Sequence, residues 1–430
     1  MKSFSITQIV LAIFIIGATL LAFLIFSGAM PGLNPSGRGQ TVKIEIWGTF
    51  PESKVAGILK NSNNSPSGIA VTYKELAEET FETELVNSLA SGKSPDIVIL
   101  PSSLAYKQQE KFLSLSNSIT EREFLDSFVD GTDILIIPEK IIALPFLIDP
   151  MVLYWNRDLF RNEAISETPK YWDEFLVVSQ KITKKDGSGN LIKSGAALGT
   201  DSNVSHPKEI LSLLILQKGS PIFDSDKLKV NLAGSSNVGP SYAADALRFF
   251  LEFSNSQKAS YSWSPAFPND SEAFAREDLA MYFGLGSEFE NIKNKNPHLN
   301  FDIAPVPQIR DLKIAATYGN YWALAIPKAS KNPKEAYIFM NFMTQNDVQK
   351  DFALKTGLAP ARRSILSLKT GSPISDTIWK ESIKMKSWLE ANTEETSRIF
   401  SDMIKSAYSG RKTIEDAARD GETKLRDLYR

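Results

Sequence analysis

Asp149 sits between Ile148 and Pro150 in an apolar stretch, and Asp201-Ser-Asn203 lies in a polar one. Carboxylate and amide groups near strand or loop ends are hydrogen-bonding partners for a polar ligand. Aromatic residues near other predicted strand and loop ends accompany them: Trp47, Tyr154, Trp263, Tyr318, Tyr321 and Trp322. A saccharide presents hydroxyls around its ring and C–H patches on its faces. A site for one stacks aromatics on those faces and surrounds the edge with Asp, Asn and Arg. The densest mixture of glycine and aromatics is Thr317-Tyr-Gly-Asn-Tyr-Trp322, at the start of a strand expected from Tyr321 to Ile326. On a strand Tyr321 and Trp322 point to opposite faces, so at most one of them meets a cleft. Trp47 follows a buried strand and reads as a ligand platform, and Trp263 reads as exposed in its polar, proline-flanked stretch. Trp172, Trp379 and Trp388 read as core residues at or on helices.

Other chemistries are poorly supplied. The chain has no cysteine and two histidines, His206 and His298, each beside a proline and read as surface residues. Thiol catalysis, disulfides and His- or Cys-based metal sites are therefore absent, and no Ser–His–Asp order can be assembled. Asp186-Gly-Ser-Gly-Asn190 has the alternating oxygens of a calcium loop but lacks its closing Glu, and reads as a turn. Acidic pairs such as Glu78-Glu79 and Glu394-Glu395 read as solvated helix faces. A net charge of -2 provides no basic stripe for nucleic acid. No catalytic residue, metal or cofactor is expected. A glycoside hydrolase would need Asp149 and Asp201 about 5–10 Å apart across a bound sugar.

The elements that would position these groups follow a clear order. Ile6–Phe26 carries no charge and, at roughly 20 residues, is long enough to cross a membrane as a helix. With Lys2 on the cytoplasmic side, the rest of the chain is exported. A signal peptide cleaved before Met30 would export it equally. Residues 31–40 are rich in Gly, Pro and Ser and form a spacer. Beyond residue 40, strands at Val42–Trp47, Ile69–Tyr73 and Asp96–Leu100 flank a helix over 81–91 stopped by Gly92, which predicts a parallel sheet with helical crossovers. Ile141–Leu147 and Met151–Trp155 read as two strands around a break at Ile148-Asp149-Pro150. Residues 172–257 read as helix-rich, and 374–430 as almost wholly helical.

Several stretches, in order, resemble the family 1 extracellular solute-binding proteins of ABC importers, which include maltose-binding receptors. They are the strand ending in Trp47-Gly48, Leu89-Ala-Ser-Gly-Lys-Ser-Pro-Asp96, Ala143-Leu-Pro-Phe146 with Leu153-Tyr-Trp-Asn-Arg-Asp-Leu-Phe160, and Pro169-Lys-Tyr-Trp172-Asp-Glu-Phe175. Phe274 to Gly284, Ile303-Ala-Pro-Val-Pro307 and Ala325 to Asn332 continue the series, which ends with Ala336–Phe342 and Gly357-Leu-Ala-Pro-Ala-Arg362. Three features depart from the family: Arg276-Glu277-Asp278 stands where a glycine precedes the Ala-Met segment, Leu285-Gly286 stands where an aromatic often follows, and the acylated cysteine is missing.

The resemblance implies an α/β periplasmic-binding-protein-like fold (type II) of two hinged lobes, preceded by one transmembrane helix over residues 1–30. Lobe 1 would take 41–147 and 306–358, and lobe 2 would take 150–305 and 362–430. It implies a monomeric receptor that closes on a small polar solute, a carbohydrate, and delivers it to ABC permease subunits. A tethered sensor is the other binding-protein alternative. Thr317–Trp322 resembles the family's Gly-rich ligand loop, and the expected ligand set is Trp47, Ser102, Asp149, Tyr154, Asp201, Asn203, Trp263, Phe283, Tyr318, Gly319, Tyr321 and Trp322.

Overall fold

The computed structural model describes residues 41–61, 66–232, 241–312 and 314–430. The apolar segment 6–26 and the spacer 31–40 lie outside the described residues. Among the described residues no helix is long and apolar enough to cross a membrane.

The strands that build the site are β1 (Val42–Gly48), β2 (Ile69–Glu75), β3 (Ile97–Pro101), β4 (Leu144–Asn156), β5 (Leu191–Ala196), β6 (Leu279–Leu285), β7 (Phe301–Ala304), β8 (Thr317–Ala325), β9 (Ala359–Pro360) and β10 (Met385–Lys386). Their order in the main sheet is β2-β1-β3-β8-β4-β6-β5, with Lys184–Lys185 at the edge; β7 and β9 also pair with β4, and β10 with β8. β1 runs parallel to β2 and β3, as the alternation of short strands with helices predicts. β3 is buried along almost its whole length, which explains its unbroken apolar run.

β4 joins two halves of the sheet. Its first part, Leu144–Pro150, pairs with β8, and its second, Met151–Asn156, pairs with β6 and β7. The break expected at Ile148-Asp149-Pro150 is not there: a single strand runs through it. Proline lacks an N–H and is poorly tolerated in central strands, but both prolines fall where the ladder is irregular. Pro145 lies opposite a register shift between Trp322 and Ala323, and Pro150 lies where the strand changes partners. The expected ligand loop 317–322 is likewise the first part of β8 and not a loop.

Helices α1 (Glu52–Asn61), α2 (Glu78–Ala90) and α3 (Ser102–Ala105) belong to the first half, with Gly92 at a φ of 71° just beyond the end of α2. The second half is built on α4 (Trp172–Ile182) and α5 (Pro207–Gln217), and on α6 (Tyr242–Glu252), α9 (Pro373–Ser382), α10 (Thr393–Tyr408) and α11 (Ile414–Asp427). Helices α7 (Pro333–Met343) and α8 (Asn346–Thr356) return to the first half, where α7 packs on β1 and α8 on α1. Residues 306–316 pack with the second half. Gln217 Nε2 donates to Pro307 O (3.0 Å) and Ala316 O (2.9 Å), and its Oε1 accepts from Trp172 Nε1 (2.7 Å). Several family-like motifs are structural ties. Asp96 accepts from Glu45 N and Ser330 Oγ, which fixes β3 to the segment before α7. Asn156 accepts from Asp158 N and Leu159 N and caps the helix Arg157–Asn162.

Candidate functional site

The carboxyl ends of the strands in both halves meet at one junction. Trp322 of β8 lies beside Pro101 at the end of β3, Asn320 lies beside Asp149, and Leu285 at the end of β6 pairs with Met151. In open α/β sheets ligands bind outside the carboxyl ends of the strands, so this junction is where a site is expected.

A buried polar cluster fills it. Lys208, in the first turn of α5, donates to Glu390 Oε1 at 2.7 Å and lies 3.3 Å from Glu209. Lys208 and Glu390 are only 4% and 6% exposed. The Tyr318 hydroxyl donates to the same Glu390 oxygen at 3.3 Å. Glu390 Oε2, the Tyr321 hydroxyl and Trp388 Nε1 are all buried without a hydrogen-bond partner in the protein. Buried polar groups are ordinarily paired, and leaving one unpaired costs about 1–3 kcal/mol. Burial pushes the Glu390 carboxyl up, with Lys208 and Tyr318 opposing this and Glu209 adding to it. Burial alone would lower the Lys208 ammonium, but the neighbouring carboxylates hold it well above its ordinary value. Burial and then the charge of Glu390 raise the Tyr321 hydroxyl.

Aromatic rings close the outer side. Phe223 stacks on Tyr429 with centroids 4.2 Å apart, and Tyr106, which follows α3 in the first half, packs edge-on against Tyr429 at 5.1 Å. Tyr429 donates its hydroxyl to Leu389 O, next to Glu390. Thr393 Oγ1 donates to Ser103 O at 3.4 Å, a hydrogen bond between the halves. A cavity of about 370 Å³ opens beside these rings and draws on both halves, with Asp133, Phe223, Asp224, Asp226, Lys386 and Ser387 among its walls. A larger cavity, about 640 Å³, lies at the far end of β4 against Trp155, Arg157 and Arg161. Both of its arginines are already paired, with Asp302 and Asp158, which makes it a surface groove remote from the junction.

The expected ligand residues divide sharply. Tyr318 joins the cluster through Glu390, and the Tyr321 hydroxyl is buried, unpaired and raised in part by the Glu390 charge. Trp322 is half-buried at the rim with its ring against Phe50 at 5.2 Å, and Ser102 is half-buried at the start of α3. Gly319 is needed at the strand crossing, because a Cβ there would come within 2.6 Å of Met385 Cγ and 3.0 Å of Asp149 O. Trp47 is no open platform: it is buried, with the Lys74 ammonium 4.1 Å over its ring. Trp263 is fully buried, not exposed, because it stacks on Phe267 at 4.7 Å and donates to Asn203 Oδ1 at 3.0 Å. Asn203 is itself used up by Ser264 O and Phe267 O. Tyr154 and Phe283 are core residues, the first donating to Leu285 O at 2.7 Å and the second packed between Trp172 and Phe175. Asp149 accepts from Ser287 N (3.0 Å) and Ser287 Oγ (2.5 Å), and Asp201 is held by Ser401 and Lys405. The two carboxylates a hydrolase would need are thus engaged by separate structural partners.

Residues 66–350, well over half of the chain, match the family described as bacterial extracellular solute-binding protein. The chain belongs to that family. A maltooligosaccharide ABC transporter solute-binding lipoprotein of Streptococcus pneumoniae is 24% identical over 360 residues, 79% of this chain and 78% of that one. The diacetylchitobiose binding protein of Streptomyces coelicolor is 24% identical over 240 residues, covering 55% of this chain and 53% of that one. Among solved structures, a cyclic alpha-maltosyl-1,6-maltose binding protein from Arthrobacter globiformis superposes with a TM-score of 0.75 at 17% identity, covering 90% of this chain and 99% of that one. At such identity the likeness shows the fold, a mixed α/β periplasmic-binding-protein-like one.

This solute-binding protein has a second polar cluster behind the junction. His206 immediately precedes α5 without a side-chain capping bond, and its Nε2 lies 2.7 Å from Glu288 Oε1. Burial lowers the imidazole, but Glu288 outweighs it and His206 is raised to about 9. His206, expected at the surface, is half-buried, with 19% of its side chain exposed, and Glu288 compensates the buried part. Burial also pushes Asp149 up to about 7 against the opposing Ser287 hydrogen bonds. Asp186, by contrast, closes a plain turn, accepting from Ser188 N and Asn190 N. No group of three or more His, Asp or Glu side chains able to hold a metal occurs among the described residues.

The residues missed from sequence are Lys208, Glu390, Trp388, Tyr106 and Tyr429. Lys208 and Glu390 are 182 residues apart and each lies in an ordinary helical or polar context. Only their mutual burial singles them out, and periodicity does not reveal it.

Proposed function

We propose that the chain is an extracytoplasmic receptor that captures a saccharide at the strand junction and delivers it to an ABC permease. Residues 41–147 with 317–358 act as one lobe, and residues 150–316 with 362–430 as the other, hinged on β4 and β8. The apolar segment 6–26 tethers the receptor, which works as a monomer without turnover of its ligand. The observation that carries this reading is the pair of buried, unpartnered groups at the junction, the Tyr321 hydroxyl and Glu390 Oε2. A ligand that is both donor and acceptor would satisfy them, and a ring of hydroxyls is such a ligand. The relatives named for maltooligosaccharide, cyclic maltosyl-maltose and diacetylchitobiose favour the same chemistry. Ligand bound only to the closed state would shift the lobes toward closure because it touches both.

The test is a thermal-shift screen of the full chain in detergent against neutral oligosaccharides, amino acids and polyamines. One saccharide class is expected to raise Tm by several degrees at saturation, with no product detected by chromatography. Stabilisation by amino acids or polyamines alone would refute the saccharide reading, and accumulation of hydrolysed sugar would refute the receptor reading.

A further inference from the structure

The ionisable groups in the junction are unevenly balanced. One ammonium, Lys208, lies among two carboxyl groups, Glu390 at 2.7 Å and Glu209 at 3.3 Å. Whether or not Glu390 holds a proton, the trio has no spare positive charge. The adjoining cavity carries the same bias, with Asp133, Asp224 and Asp226 against Lys386 on its walls. Asp224 is matched by Lys227, but that pairing adds no free cation. Buried at the junction without a hydrogen-bond partner are one neutral donor, Tyr321 Oη, and one carboxyl oxygen, Glu390 Oε2.

From this geometry we infer, on the footing of the saccharide reading above, that the cleft selects uncharged saccharides and rejects anionic ones, with Glu390 and Glu209 as the residues that set the choice. A ligand hydroxyl donates to Glu390 Oε2 and accepts from Tyr321. Where Glu390 is ionised, a phosphate or carboxylate on the ligand would meet a like charge; where it holds a proton, Lys208 stays paired with Glu209 and offers the anion no free cation. Lys208 cannot serve the anion, because its charge is already spent on the two glutamates.

Removing the carboxylates tests this. Glu390→Gln keeps the shape of the side chain, and Lys208 retains Glu209 as a partner, so this variant should fold. Glu209→Gln removes the same charge from the less buried side. The double substitution leaves Lys208 uncompensated. Titration calorimetry would use maltotriose, mannotriose and diacetylchitobiose as neutral probes, and glucose 6-phosphate, glucuronate and digalacturonate as anionic ones. The parent is expected to bind one or more neutral probes and to bind the anionic probes at least about 30-fold more weakly. Each single variant should narrow that gap by about tenfold or more, and the double variant should bind an anionic probe more tightly than the parent does. If parent and double variant discriminate equally, or if the parent binds the anionic probes as tightly as the neutral ones, the charge-selection inference fails while the saccharide reading stands. If no saccharide of either class binds any of the four proteins, the saccharide reading fails and the inference falls with it.

Discussion

The Tyr321 hydroxyl is buried without a partner, so its loss should not unfold anything. Tyr321→Phe is expected to leave stability unchanged or raise it by about 1 kcal/mol, because an unmet desolvation cost is removed. Trp322 lies on the opposite face of β8 from Tyr321, half-buried against Phe50, so Trp322→Ala should lower Tm and leave ligand affinity unchanged, checked by thermal melts and calorimetry. Trp263→Ala should also destabilise: it empties a fully buried stack and unpairs Asn203, costing about 3–5 kcal/mol in denaturant unfolding. Two titrating groups give stability a pH dependence of one sign. His206 is held at about 9 in the folded chain against an ordinary value near 6.5. Its contribution is complete below about pH 6.5 and is lost as pH rises through 9. Asp149 is pushed up to about 7, so between about pH 4 and 7 the folded state holds a proton that the unfolded state releases, and stability again falls as pH rises. Melting temperature should therefore decline from mildly acidic pH to pH 9. His206→Gln should flatten the part above 6.5.

At the scale of elements, β4 and β8 carry the mechanical load, since both cross between the halves side by side. Gly319 permits their approach, and Gly319→Ala would press a methyl against Met385 and the Asp149 carbonyl. That substitution should lower Tm and broaden the closure equilibrium, read by small-angle scattering with and without ligand. Much of this level was legible in the sequence. The strands at Val42, Ile69 and Asp96, the stop at Gly92 and the turn at Asp186 all occur as their local chemistry predicts. The prolines misled, because Pro150 reads locally as a strand breaker. Only the change of partners within β4, a tertiary fact, makes room for it.

Across the whole molecule, the motifs that reveal the family are mostly scaffold. Asp96 ties β3 to the segment before α7, Asn156 caps a helix, and Trp172 anchors α4 on Gln217. This explains why the fold could be read with little alignment of ligand residues. Aromatics were the visible signal for a sugar site, yet Trp47, Tyr154, Trp263 and Phe283 serve the core. The buried polar cluster at the junction uses Lys208 and Glu390, which neighbouring residues do not mark. It also uses tyrosines from both halves: Tyr106 on one side, Tyr429 on the other and Tyr321 on the crossing strand.

The central claim is that the ligand binds across this cluster, and the most direct measurement is calorimetric affinity for the saccharide that stabilises the parent, compared between the parent and Tyr321→Phe. If the cluster is the site, affinity falls by roughly 5- to 30-fold, the value of one buried hydrogen bond, while the melting temperature does not drop. Equal affinity in the two proteins, with folding intact, would place the ligand elsewhere and contradict the assignment.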